Sequence, residues 1–157
     1  SMSEARYSHA SVVLDGKIYA MGGYDEGVTL DTVEVYDPQA DSWQRVASMP
    51  RSLCDHAAAV MGGKIYVTGG IKQTTESERS VHVYDPQADA WTQLTSMGTA
   101  RRYHASAVVG GKLYVFGGYG AASEGLSTAE VYDPASDSWA PVTSLTSART
   151  SPVAVAL

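Results

Sequence analysis

The sequence predicts an all-β protein: three four-stranded antiparallel sheets standing side by side as propeller blades, followed by one extra strand. Three observations lead there. A set of landmarks recurs at a fixed step along the 157 residues. Each unit between landmarks divides into four short apolar runs separated by turn residues. No segment sustains a 3.6-residue period, so essentially no helix is expected.

The repeat carries most of the weight, because self-similarity at a step of 20 to 50 residues marks an array of supersecondary units. A double glycine recurs as Gly22-Gly23, Gly69-Gly70 and Gly117-Gly118. Tyr-Asp-Pro recurs from Tyr36, Tyr84 and Tyr132, and tryptophan at Trp43, Trp91 and Trp139. Gly16-Lys17, Gly63-Lys64 and Gly111-Lys112 keep the same phase, as do His9, His56 and His104; every separation is 47 or 48 residues. In the first unit, strand one runs from His9 to Leu14 and closes on Asp15-Gly16. Strand two, Lys17 to Met21, ends at the glycine pair, which permits positive φ or a close backbone approach. Strand three, Thr32 to Tyr36, is stopped by Asp37-Pro38, since proline offers no N–H to a ladder. Strand four starts at Ser42-Trp43. One such sheet buries little alone, so the sheets must stack, and the Tyr and Trp rings are large enough to fill the wedges between them.

A glycine pair followed by a spaced Tyr and Trp resembles the kelch motif, from about Arg6 to Leu157. The nearest resemblance is to the kelch domains of BTB–kelch proteins. It implies a six-bladed propeller that recruits substrates to a cullin-based ubiquitin ligase. Residues 1–5 form a tail whose Ser1-Met2 looks like a cloning remnant, and the repeats cover 6–49, 50–97 and 98–145. Residues 146–157 repeat a first strand, with Pro152 where His104 falls. In BTB–kelch proteins such a lone strand closes the ring, so the chain resembles the C-terminal half of a six-bladed propeller. Three blades do not close. Two halves in head-to-tail contact would, and a homodimer is expected, with one first strand too many at each seam.

The resemblance also implies a partner-binding rim, reached by two positions per blade. One follows the glycine pair: Tyr24, Ile71 and Tyr119. The other follows the arginine that opens the first strand: Tyr7, Cys54, Arg102 and Thr150. Their neighbours Ser8, Asp55 and Tyr103 are next in line. The opening arginine is present as Arg6, Arg101 and Arg149, but Leu53 replaces it in the second repeat. Connections 24–31, 71–80 and 119–128 are polar and differ between repeats, and variable loops on a fixed scaffold usually carry recognition. They hold Asp25, Glu26, Lys72, Glu76, Glu78, Arg79 and Glu124. The expected partner is therefore a protein or peptide at the rim.

Other chemistries find less support. The formal charge is −6 and no basic stretch tracks a phosphate backbone, so nucleic acid is not expected. No apolar run is long enough to cross a membrane as a helix. The lone Cys54 excludes an internal disulfide and fits a reducing, cytoplasmic setting, with a buried or inert thiol as its default. His9, His56 and His104 could form an arc of metal ligands, but equivalence by repeat favours shared packing. His82 replaces Glu34 and Glu130 of the other repeats and is expected on a strand surface. Asp41, Asp89 and Asp137 suit a turn or hydrogen-bond role in each blade. No catalytic constellation, metal site or cofactor motif is expected. The alternatives are an actin-binding or structural scaffold, a kelch-type enzyme, and a designed or recently duplicated repeat protein without a partner.

Overall fold

The computed structural model describes residues 1–73 and 76–154. The first sheet is built from β1 (Ala10–Leu14), β2 (Lys17–Met21), then, beyond a small hairpin of β3 (Tyr24–Asp25) and β4 (Val28–Thr29), β5 (Val33–Asp37) and β6 (Ser42–Val46). The second contains β7 (Ala57–Met61), β8 (Lys64–Thr68), β9 (Val81–Asp85) and β10 (Ala90–Leu94). The third contains β11 (Ala105–Val109), β12 (Lys112–Phe116), β13 (Ala129–Asp133) and β14 (Ser138–Val142). Each is an antiparallel meander in sequence order, and no helix occurs among the described residues. The third strand starts and stops one residue later than expected. The β3–β4 hairpin, turning at Glu26-Gly27, was not foreseen.

The landmarks have structural reasons. Register sets Tyr36 against Trp43, Tyr84 against Trp91 and Tyr132 against Trp139, with ring centroids 5.2, 5.1 and 5.2 Å apart. Lys17 pairs with Asp37 at 3.0 Å, and Lys64–Asp85 and Lys112–Asp133 follow at 2.9 Å each, joining Gly-Lys to Tyr-Asp-Pro. Those pairs are half exposed and add little stability.

Neighbouring sheets meet through aromatic rings. Tyr19 of the first packs on Tyr84 of the second, and Tyr66 of the second on Tyr132 of the third, each at 6.1 Å between centroids. Such pairs contribute about 0.5–1.5 kcal/mol beyond their burial. The core residues Leu14, Met21, Val33, Ile65 and Val67 belong to one cluster bridging the first two sheets. The Asp two residues before the second and third Trp ties blades together: Asp89 accepts from the Tyr84 hydroxyl and from the Ala47 N–H, at 2.7 and 2.8 Å. Trp91 Nε1 returns a bond to the Ala47 carbonyl at 2.9 Å, and Asp137 and Trp139 repeat the arrangement on Thr95. The first strands β1, β7 and β11 are adjacent across blades, and their small residues line one continuous wall.

The opening arginines are structural: the Arg6 and Arg101 side chains are fully buried, paired with Glu34 at 2.9 Å and Glu130 at 2.8 Å. Each also bonds the first glycine's carbonyl and a threonine, Thr32 or Thr128. Burial works against ionised Glu34, but hydrogen bonds from Ser3 and Arg6 outweigh it and hold its carboxyl low. His82 is not on a surface: it is 2% exposed, because its β-strand position is the one that faces the opening segment. The second blade thus replaces the Arg–Glu pair by Leu53 and His82 together.

The strand expected within 146–157 is not formed among residues up to 154, and 155–157 lie outside the described residues. Its opening nonetheless behaves like the others: the Gly118 N–H donates to the Arg149 carbonyl at 2.7 Å, as the Gly23 N–H does to Leu53 and the Gly70 N–H to Arg101.

The histidines serve packing. His56 and His104 are buried under the preceding blade's glycine pair, and His104 Nε2 lies 2.8 Å from Thr68 Oγ1. Burial pushes His56 down to about 4 and His104 to about 3, so both are neutral when folded. In the unfolded chain they titrate near ~6.5. Unfolding therefore takes up protons below that value, and stability, complete above about pH 7, falls as the pH drops towards 4. Each histidine contributes about 1.4 kcal/mol per pH unit inside the window. Thermal melts at pH 7, 6 and 5 should show a steadily falling midpoint; an unchanged midpoint would contradict neutral burial.

Candidate functional site

The rim is made by the short segment that opens each blade and the residues after each glycine pair. These two stretches pair as isolated antiparallel bridges: Tyr7 with Tyr24, Cys54 with Ile71, Arg102 with Tyr119. Both bonds of each bridge lie between 2.8 and 3.1 Å. The repeat rule that selected two positions per blade thus selects hydrogen-bonded partners.

The next residue links blades. The Asp55 N–H donates to the Ser8 carbonyl at 3.0 Å, Tyr103 to Asp55 at 2.9 Å, and Ser151 to Tyr103 at 2.9 Å. Each of these residues has positive φ: 54° at Ser8, 56° at Asp55, 51° at Tyr103 and 52° at Ser151. Left-handed backbone is costly for a bulky tyrosine, and persists where the surroundings over-determine it. Here one continuous chain of backbone bonds crosses the blades and aims Ser8, Asp55 and Tyr103 outward.

A cleft of about 340 Å³ opens at this point. Tyr7, Ser8 and Tyr24 come to it from the first blade, Cys54, Asp55, Ile71 and Lys72 from the second, and Tyr103 from the third. Gln73 also lines it and was missed by the sequence; its side chain bonds the Gly27 carbonyl at 3.0 Å, a contact between loops of different repeats with no local signature. Tyr7 is 60% exposed and Tyr103 is 40% exposed, while the Tyr7 and Tyr24 rings stand 5.4 Å apart. Lys72 is held by Glu78 at 2.6 Å.

Four expected residues lie around the cleft rather than in it. Asp25 is in the β3–β4 hairpin. Arg102 stacks its guanidinium 5.8 Å over the Tyr119 ring and bonds Ser77 and Ser123. Thr150 is exposed, next to Ser151. The loops interlock, since Ser77 Oγ donates to the Tyr119 and Gly120 carbonyls. Cys54 is 7% exposed, and burial, aided by Asp55, pushes its thiol up to about 11. It stays protonated at neutral pH and is a poor nucleophile. Among the described residues no three His, Cys, Asp or Glu side chains gather as a metal site. No helix among them is long and apolar enough to cross a membrane.

Four-stranded meanders, repeated with their first strands side by side, define a β-propeller segment. The comparisons with known proteins name the family. The kelch motif family matches residues 5–50, and the KLHDC2/KLHL20/DRC7 Kelch-repeats domain matches residues 48–156. The chain belongs to the kelch-repeat family, whose propellers are protein-interaction modules. It is 44% identical over 48 residues to Kelch-like protein 23 of Mus musculus, which is 31% of this chain and 9% of that protein. It is 44% identical over 55 residues to an F-box/kelch-repeat protein of Arabidopsis thaliana, 35% of this chain and 15% of that one. The solved structure of YjhT superposes with a TM-score of 0.81 at 18% identity, over 92% of this chain and 52% of that chain. The aligned segments thus cover a small fraction of these curated relatives and about half of that solved propeller.

Proposed function

We propose that this chain holds a short peptide or loop of a partner protein against the rim, and that in its natural setting it selects substrates for a cullin-based ubiquitin ligase. The supporting observation is the cleft itself. Tyr7 and Tyr24 of the first repeat and Tyr103 of the third converge on it across the second, and Tyr is among the residues that most often anchor interfaces. The hydrogen-bonded bridges and interlocked loops hold those anchors before a partner arrives, which lowers the ordering cost of binding. Proximity labelling or pull-down with the intact propeller, repeated with Tyr24→Ala and Tyr119→Ala, tests this. Both variants should lose captured partners; retention of every partner by both removes the rim from consideration.

A second reading concerns assembly: two copies complete one six-bladed ring. Asp41 and Trp43 stand at one open edge, equivalent to the Asp89 and Trp91 that clasp Ala47. The backbone of Thr143, equivalent to Ala47, stands at the other. Each edge therefore carries one half of the joint seen twice inside the chain. Closure requires one copy of the opening segment to yield, because Arg149 already occupies the place beside Gly117 that a partner's Arg6 would take. Light scattering should show twice the chain mass of 16.6 kDa, and a stable monomer would count against closure.

A further inference from the structure

We propose that the rim cleft takes an arginine side chain of the partner, with the ring faces of Tyr7, Tyr24 and Tyr103 around the guanidinium and Asp55 as its counter-charge; this rests on the rim-binding reading above. Several observations converge. The Asp55 carboxylate lines the cleft, and its Oδ1 is buried with no hydrogen-bond partner. A desolvated carboxylate oxygen without a donor is costly, and a cationic donor relieves that cost most fully. The carboxylate otherwise meets the Cys54 thiol, a weak donor, at 3.8 Å and the Tyr103 hydroxyl, and neither brings a positive charge to it.

The positive charges nearby are engaged elsewhere. Lys72 is bound to Glu78, and Arg102 lies on Tyr119 with bonds to Ser77 and Ser123. An acidic ligand would thus meet paired cations and face the Asp55 carboxylate. A cation meets three electron-rich rings, two of them 5.4 Å apart, and a carboxylate with no cationic partner of its own. Arginine suits the cleft better than lysine. Its planar, weakly hydrated guanidinium stacks on tyrosine and donates in a fork to one carboxylate, whereas an ammonium must shed more water. The formal charge of −6 draws basic segments towards the molecule from a distance.

The test uses three capped amino acids with uncharged ends: N-acetyl-arginine methylamide, its citrulline analogue and its glutamate analogue. Each is titrated into ¹⁵N-labelled protein while backbone amide shifts are followed. The arginine probe should move the amides of Tyr7, Tyr24, Asp55 and Tyr103, and citrulline should bind about tenfold more weakly, the loss expected for one charge-assisted bond. Asp55→Asn keeps the left-handed backbone, which asparagine tolerates, and should weaken the arginine probe to a similar degree. Tyr24→Leu, which leaves Asp55 in place, should also weaken it and serves if the first variant does not fold. Equal binding of arginine and citrulline, tighter binding of glutamate, or full arginine affinity in the variants overturns the proposal. If the tyrosine variants lose protein partners while arginine and citrulline bind alike, the rim remains the recognition surface and only the ligand class is wrong.

Discussion

Arg101→Leu should lower the unfolding free energy by about 3–5 kcal/mol, the usual cost of removing one partner from a buried ion pair. The Arg101 side chain is fully buried, and its Nη2 meets Glu130 Oε1 at 2.8 Å. It also supplies bonds to the Gly117 carbonyl at 2.8 Å and to the Thr128 hydroxyl at 3.3 Å. Its loss leaves Glu130 charged and buried, supported only by the Gly98 and Thr99 N–H groups at 2.7 and 3.0 Å.

The protein already contains the counterpart of this change. In the second blade Leu53 stands for the arginine, and the groups that would receive a guanidinium are Ser80 Oγ and His82 Nε2, both buried without a partner. Leu53→Arg alone should destabilise, because the new charge meets a neutral imidazole. Leu53→Arg with His82→Glu should recover that loss through a coupling of about 2–3 kcal/mol, as expected for residues in direct contact. Denaturant titrations of the four proteins measure the cycle. Additive effects would show that the three blades do not share this polar framework.

Gly69→Ala should cost about 3 kcal/mol, from left-handed backbone and overpacking together. Gly69 has φ 59°, and a Cβ there would run into the Arg101 carbonyl oxygen and come within 2.8 Å of His104 Cε1. Both atoms belong to the next blade. The Gly70 N–H donates to that same carbonyl at 2.9 Å, so the intrusion attacks the joint between blades directly. Gly62 is the internal control: it has the same φ of 59°, yet nothing lies within 4 Å of its would-be Cβ. Gly62→Ala should therefore carry only the backbone cost, about 1–2 kcal/mol. Comparable losses at both positions would mean that close approach contributes nothing at Gly69.

Much of this architecture was legible because it is periodic. Strand patterning, turn residues and a constant step dictate four-stranded sheets, and sheets that bury one another's faces must stack. Equivalence across repeats and the likeness to kelch domains also picked out the positions that pair as bridges, Tyr7 with Tyr24, Cys54 with Ile71 and Arg102 with Tyr119. Residues that act across repeats were not legible. Gln73 reaches the cleft through a loop-to-loop bond with no pattern to announce it. The partners of the opening arginines were not legible either, since nothing local tells that each lies some 28 or 29 residues ahead, in the third strand.

Sequence alone thus determined the fold class and the family, because local propensity and repetition are properties of the chain. Only the tertiary structure decided which polar residues face inward, that Leu53 and His82 take the two places of a buried ion pair, and that Asp55 keeps a bare carboxylate oxygen among tyrosines. Those facts depend on contacts between segments far apart in sequence, where burial and distance, rather than residue type, set the chemistry.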